Sequence, residues 1–434
     1  MTWGSLLAIA IVLITIMLLS GIWIPFAIGI VGLVIIYLTG GIADLNALGL
    51  TVWGGVDSFI LTALPLFIFM AEVLIRSGVA DRFYEGLSRM TRRLPGGLLQ
   101  SNVAGCAMLA AISGSSVATA AAIGSVAIPQ LKERNYDIRM ATGSVAAGGT
   151  LGILIPPSAA LILYGTFTEI SIVHLFMAGL IPGLLLALIF MVYIAGHALI
   201  QPSRVPHNNL EAMRGQVLAS FIKLVPFLLL IFMVLGSMYA GLATPTEAAA
   251  IGTTGAVILS IIFGTFSIKT FWQSALASIS TSCTILLIVA MAFIFSYAIS
   301  NAQIGSSLAA KLVEMHLDKV QFLIAIYIMY TILGMLMDSI SMIMITVPLL
   351  YPSIVGLSIN PIWFGVILVL QIELGQITPP FGLNLFVIQS VAQCKIEEVI
   401  KGCVPYYIIF ILFIIALTVY PEVALWLPKH VIAY

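Results

Sequence analysis

Gly152-Ile153-Leu154-Ile155-Pro156-Pro157-Ser158 and, 223 residues later, Gly375-Gln376-Ile377-Thr378-Pro379-Pro380-Phe381 decide the fold of this chain. Each lies inside a long apolar stretch. Two adjacent prolines remove two backbone donors and clash with the preceding turn, so a helix must open there. The same shift of 223 aligns Ser116 with Ser339, Pro129 with Pro352 and Leu151-Gly152 with Leu374-Gly375 without a gap. Upstream the register drifts to 226 or 227, where Phe67-Ile68-Phe69 meets Phe293-Ile294-Phe295 and Gly78 meets Gly305; near 220, Pro25 and Gly32 meet Pro245 and Gly252. Chance likeness between apolar helices would match Leu and Ala rather than paired prolines, so the chain reads as two copies of one unit.

Around these strings the composition is that of a membrane protein. The 434 residues are 61% hydrophobic and 8% charged, against about 25% charged in soluble domains. One large aqueous core is excluded. The 17 basic and 17 acidic residues leave no net field to attract nucleic acid. Apolar runs near 5–20, 24–39, 56–76, 139–165, 173–200, 219–240, 247–267, 277–300, 362–388 and 402–427 predict about ten spans, each able to cross a hydrocarbon core roughly 30 Å thick. The first run lacks a basic leader and reads as a retained span. Four cysteines (Cys106, Cys283, Cys394, Cys403) and five scattered histidines show no metal-ligand spacing.

Two further apolar regions, 97–130 and 320–355, are too long for one span and break midway, at Ser113-Gly114-Ser115-Ser116 and at Met337-Asp338-Ser339. Half-helices facing such a break form re-entrant hairpins, whose irregular backbone survives at membrane depth only when buried in protein or lining a wet cavity. With both regions as hairpins, 14 of the 17 Lys and Arg fall on one side of the membrane, in the segments 76–97, 131–139, 201–223, 268–270 and 389–401; only Lys311, Lys319 and Lys429 fall on the other. By the positive-inside rule the first side is cytoplasmic, both termini are outside, and the two halves are inverted. Inverted repeats of this kind mark secondary transporters. The expected layout is scaffold helices at 1–55 and 201–276, a first repeat at 56–200 with hairpin 97–130 and broken helix 139–165, and a second repeat at 277–390 with hairpin 320–355 and broken helix 362–388. A C-terminal helix at 391–434 completes it.

The chemistry should sit where the helices open. Carbonyls freed at mid-membrane need partners, and a hard cation such as Na⁺ is a good one, while the facing hairpin tip supplies hydroxyls and half-helix N-termini. A single proline often makes only a kink; two in a row, twice, each facing a tip, favour an ion site. Asp338 at the second tip and Glu373 two residues before the second break are ionisable groups at depth, where the default reading is functional. Asp338 is read as part of a cation site or a carrier of a coupling proton; Glu373 is a possible coupling carboxylate or a group at a protein-filled interface. A serine protease would need a general base near Ser113–Ser116, but His174, His197 and His207 lie on other segments. An aspartyl protease would need a second deep aspartate. Neither enzyme reading is favoured.

Other polar residues have structural explanations. Glu72 and Arg76 read as a helix-end pair, and Thr244-Pro245-Thr246-Glu247 as a capping box. Asp57 is expected to cap its span, and Arg82, Arg89, Arg92 and Arg93 to lie on a cytoplasmic interfacial connector.

Taken together, Ser113–Ser116 with Val117-Ala118-Thr119, Gly152–Ser158, Thr244–Ala249, Gly334–Ser339 and Gly375–Gly382 resemble the large membrane subunit of the tripartite ATP-independent periplasmic (TRAP) transporters over essentially the whole chain. The resemblance implies an all-α polytopic membrane protein, an inverted-repeat, elevator-type member of the ion-transporter superfamily, in the bacterial inner membrane and not an enzyme. It implies coupling to Na⁺, with two or more ions, and uptake of a small organic acid, a carboxylate or sulfonate, from a periplasmic binding protein. A small four-helix membrane subunit would be a separate chain here. By matched motif, Ser113 and Ser115 with Thr150, Gly152 and Ile155 would form one Na⁺ site, and Asp338 with Gly375 and Thr378 a second. The substrate would lie near Ser116, Pro156, Pro157, Ser158, Thr378, Pro379, Pro380 and Asn384. A stand-alone Na⁺/carboxylate symporter of the same superfamily is the nearest alternative. No arginine lies deep at either break, so hydroxyls, amides and helix N-termini must carry much of the recognition.

Overall fold

A computed structural model describes residues 2–91, 93–202, 216–315 and 318–431, with side chains described throughout except over 216–223. Arg92, His207 and most of the 201–223 connector lie outside the described residues. The described chain is helical. In the first half run α1 (Trp3–Leu19), α2 (Ile24–Leu45), α3 (Leu48–Val56), α4 (Ala63–Arg76), α5 (Val79–Thr91), α6 (Leu98–Ser113), α7 (Ser116–Glu133), α8 (Ile138–Gly149), α9 (Leu151–Leu154), α10 (Ala159–Thr168) and α11 (Ile172–Ile200). The second half runs α12 (Gln216–Tyr239), α13 (Pro245–Ile262), α14 (Ile268–Asn301), α15 (Ile304–Glu314), α16 (Lys319–Leu336), α17 (Ser339–Gly356), α18 (Pro361–Gln376), α19 (Leu383–Ala392), α20 (Ile396–Val419) and α21 (Glu422–His430). Nine helices among the described residues are long and apolar enough to cross a membrane. Their outward faces carry large apolar side chains such as Leu188, Ile261, Ile328 and Leu412, as a surface solvated by lipid requires.

The duplication read from the prolines is visible in what packs on what. α2 lies along α14, and its counterpart α13 lies along α4, the counterpart of α14. Hairpin α6–α7 packs its second arm on α19, and hairpin α16–α17 packs its second arm on α10. Each hairpin therefore leans on the broken helix of the other half. The two pairings are fastened alike at their far ends: Lys132 Nζ donates to the Ala392 carbonyl at the end of α19, and Tyr351 Oη donates to the Thr168 carbonyl at the end of α10 (3.3 Å).

Local chemistry sets the helix ends. Thr244 and Glu247 form the expected capping box, and Glu72 pairs with Arg76 at 2.5 Å. α5 is the expected amphipathic connector; Arg82 reaches the Phe263 carbonyl (2.9 Å) and Arg89 pairs with Glu85. Asp57 does not cap the following span. It closes α3 at its C-terminal end, and α4 begins after a 3₁₀ turn at Phe59–Thr62. Helix α14 begins at Ile268, earlier than the apolar run at 277. The extra turns are too polar to read as a span; Ser274 within them and Ser278 just after tie α14 to α4 by donating to the carbonyls of Glu72 (3.2 Å) and Pro65 (3.1 Å). The last apolar run, expected as one helix over 402–427, is two, because Pro421 interrupts it between α20 and α21.

Candidate functional site

At the first tip, α6 ends at Gly114 in the left-handed conformation (φ 58°) and α7 starts at once, with the Ser115 side chain accepting from the Ala118 amide at 3.4 Å. Ser113 Oγ lies 2.5 Å from Thr119 Oγ1 and 3.4 Å from the Ser115 carbonyl oxygen. The first break lies against this tip. Ile155 is extended, the Pro156-Pro157 bond that follows is cis, and Ser158 restarts the helix by accepting from the Leu161 amide at 3.3 Å. Contact is backbone to backbone: a Cβ on Gly152 would stand 2.6 Å from the Ser115 carbonyl oxygen and 2.8 Å from Thr119 Oγ1. Only glycine fits such an approach. Three oxygens, Ser113 Oγ, Thr119 Oγ1 and Ser115 O, thus meet at the opened helix. Thr119 appears above only as part of a family string, because a threonine inside a small-residue helix carries no signal of its own. The Thr150 hydroxyl turns to the Ala147 carbonyl of its own helix (2.5 Å).

The second tip is built on a carboxylate. Asp338 caps α17, its Oδ2 accepting from the amides of Ile340 (3.0 Å) and Ser341 (3.2 Å) and its Oδ1 from Ser341 Oγ (2.5 Å). A carboxylate offers about four lone-pair directions, so acceptor capacity remains. Hairpin and broken helix touch at a glycine pair: a Cβ on Gly375 would lie 2.6 Å from the Gly334 Cα, the small-residue crossing that lets membrane helices approach closely. The second break also carries a cis bond, Pro379-Pro380. Unlike Pro156 and Pro157, which are buried, Pro379, Pro380 and Phe381 are exposed. Thr378 Oγ1 donates to the Leu374 carbonyl (2.6 Å).

A third constellation joins the halves. Ser116, first residue of α7, donates to Glu373 Oε2 (2.8 Å) and accepts from Asn384 Nδ2 (2.7 Å). All three side chains are buried. The first tip is therefore held by residues on both sides of the second break. Of the substrate residues expected from sequence, Ser116 and Asn384 come together here, Pro156, Pro157 and Ser158 stand at the first break, and Thr378, Pro379 and Pro380 at the second.

Both tips line one cavity of about 460 Å³, through Ser113, Gly114 and Ser115 of the first and Asp338 to Ser341 of the second. Its opposite wall is the start of α2, the last turns of α4 with Glu72, and Ser280, Thr281 and Thr284 of α14. Those hydroxyls went unread in the sequence because α14 is apolar on average. Among the described residues lining the cavity there are two carboxylates, Glu72 and Asp338, and no Lys or Arg.

Two inverted helical units, each with a hairpin and an opened helix, that bring both hairpin tips to one cavity define a secondary-transporter fold. The chain belongs to the tripartite ATP-independent periplasmic transporter family as its DctM component, whose model matches residues 11–423. It is 35% identical to the C4-dicarboxylate TRAP transporter large permease of Pseudomonas aeruginosa, over 86% of this chain and 87% of that one. It is 31% identical to the isethionate TRAP transporter permease DctMQ of Oleidesulfovibrio alaskensis, over 94% of this chain and 64% of that longer protein. In fold it resembles the YdaH transporter of Alcanivorax borkumensis, with a TM-score of 0.66, 14% identity, and coverage of 95% of this chain and 98% of that one. The chain is accordingly a multi-pass large permease of a secondary transporter for organic acids. Permeases of this family work with a small membrane subunit and a periplasmic binding protein.

Proposed function

We propose that this permease couples inward Na⁺ movement to uptake of a small carboxylate or sulfonate across the bacterial inner membrane. The cargo is handed over by a periplasmic binding protein, and a separate small membrane subunit completes the complex. The observation that carries the reading is the shared cavity: one hairpin tip from each half faces it, with hydroxyls from both tips and from α14 and no Lys or Arg among its described lining residues. Glu72 is paired with Arg76, so the uncompensated carboxylate of the lining is Asp338; an organic anion gains nothing from a basic lining side chain, and bound cations would supply the attraction. The oxygens at the first tip (Ser113, Ser115, Thr119, with the carbonyls at Gly152 to Ile155) and those at the second (Asp338, with the carbonyls at Gly375 to Thr378) are the proposed Na⁺ ligands, suited to a hard cation. C4-dicarboxylates and isethionate, the cargoes named for the two relatives above, are the first substrates to test.

In the proposed motion the hairpins and broken helices move as one body against α1–α3, α12 and α13. Because Na⁺ and cargo would meet at the same tips, each raises the other's affinity by the same factor. The cavity wall is formed by the start of α2 and the end of α4, ends that the Lys and Arg distribution puts on the cytoplasmic side with both termini outside. On this reading the conformation is inward-facing. The test is uptake into proteoliposomes holding the permease, the small subunit and the cognate binding protein. An inward Na⁺ gradient should drive accumulation and a K⁺ gradient should not. Equal uptake in both ends the coupling claim, and full uptake without binding protein makes the chain a stand-alone symporter instead.

A further inference from the structure

We propose that Glu373, Gln376 and Asn384 form an additional, membrane-buried Na⁺ site on the second broken helix, closed over by Ser116, so that its occupancy fastens the first hairpin tip to the second break. The proposal rests on the Na⁺-coupled reading and adds a site distinct from those at the two tips. Glu373 and Gln376 stand on the last turn of α18, and Asn384 near the start of α19, on the two sides of the Pro379-Pro380 bond. Ser116 uses its one proton on Glu373 Oε2 and takes one from Asn384 Nδ2. What remains is one-sided: Glu373 Oε1, Gln376 Oε1 and Asn384 Oδ1 are all buried, and none has a hydrogen-bond partner. The three residues are exposed by no more than 1%. All three remaining atoms are acceptors, and Glu373 takes part in none of the ion pairs among the described residues.

Buried oxygens without a donor, one of them a carboxylate's, are what a hard monovalent cation takes. A proton on Glu373 would serve one oxygen and leave others bare. The C-terminal end of α18 adds the negative end of its dipole to the same place. The repeat itself does not demand this cluster. In the register of 223, Ser116 corresponds to Ser339, but Glu373, Gln376 and Asn384 correspond to Thr150, Ile153 and Leu161. The symmetry-related position thus keeps the serine, as Ser339, and lacks the carboxylate and amide oxygens, which marks the cluster as chemistry added at one break. A cation there would couple the halves directly. It would neutralise Glu373, hold Asn384 in the orientation that donates to Ser116, and so order the tip whose other face lines the cavity.

The test is equilibrium binding of ²²Na⁺ to the full chain co-purified with its small subunit in lipid nanodiscs. Wild type should bind a fixed number of ions per chain, and Glu373→Gln, which keeps an oxygen for Ser116 but removes the charge, should bind one fewer. Gln376→Leu should keep the count and weaken one ion about tenfold. An unchanged count in Glu373→Gln overturns the site, and if the pH dependence of uptake is lost in that variant the carboxyl holds a proton instead. Should Glu373→Gln fail to assemble, unchanged counts and affinities in Gln376→Leu overturn it equally. A wild type that binds no ²²Na⁺ refutes Na⁺ coupling itself rather than this site.

Discussion

The two breaks share a backbone plan and differ in nearly every polar atom. At the first, Pro156 and Pro157 are buried, Ser158 restarts the helix, and Gly152 presses on the oxygens of its own hairpin tip. At the second, Pro379 and Pro380 are exposed, glycine precedes the restarted helix, and the flanking Glu373 and Asn384 reach across to the tip of the other half. The duplication thus supplies geometry twice, and the chemistry is divided: hydroxyls at the first tip, carboxylates at the second tip and the second break. The first half's tip is held by the second half's residues, which gives the proposed coupling a route between the halves.

The sharpest way to break this comparison is at the paired glycines. Gly152→Ala places a methyl against the Ser115 carbonyl oxygen, and displacing that tip by a fraction of an ångström should lower Na⁺-driven uptake on the order of a hundredfold. Gly375→Ala meets the Gly334 backbone instead, and its expected cost is about 1–3 kcal/mol of stability as overpacking, read as a lowered melting temperature. Similar phenotypes for the two would make the breaks equivalent. The paired serines come next. Ser116→Ala removes a hydrogen bond to a buried carboxylate, about 1.5–3 kcal/mol, and should raise the Na⁺ concentration for half-maximal uptake at least tenfold. Ser339→Ala should change it less than about twofold, since the corresponding positions in the first half, Thr150 and Leu161, offer no carboxylate or amide. The smallest effects belong to the helix-end ties. Lys132→Met and Tyr351→Phe each release one terminal carbonyl, of α19 and α10, and should cost about 1 kcal/mol or less with near-normal uptake.

Much of this arrangement was legible in the sequence, for a definite reason. Paired prolines and tip glycines and serines are positions where the backbone departs from helix, and such departures are written in residues with few substitutes; the spans, hairpins and breaks followed from them. Charge asymmetry along the chain gave an orientation to propose. What could not be read were contacts between surfaces. Nothing in Ser116 names Glu373 257 residues away as its partner, nothing in Thr119 distinguishes it from a packing threonine, and Asp57 closes the helix before it rather than capping the one after, while Pro421 breaks a run whose hydropathy alone reads as one span. The hydroxyls of Ser280, Thr281 and Thr284 were hidden by averaging over an apolar helix.

If the two tips travel together against α1–α3, α12 and α13, as proposed, each face of the membrane should reach them in turn. Ala118, on the cavity wall beside the first tip, would be replaced by cysteine in a chain freed of Cys106, Cys283, Cys394 and Cys403 and challenged with a membrane-impermeant thiol reagent from either face. The expected result is labelling from the cytoplasmic face alone in one condition and from the periplasmic face alone in another, with Na⁺ and cargo shifting the balance. Simultaneous labelling from both faces would indicate an open pore, and labelling from one face under every condition would show that the tip does not cross.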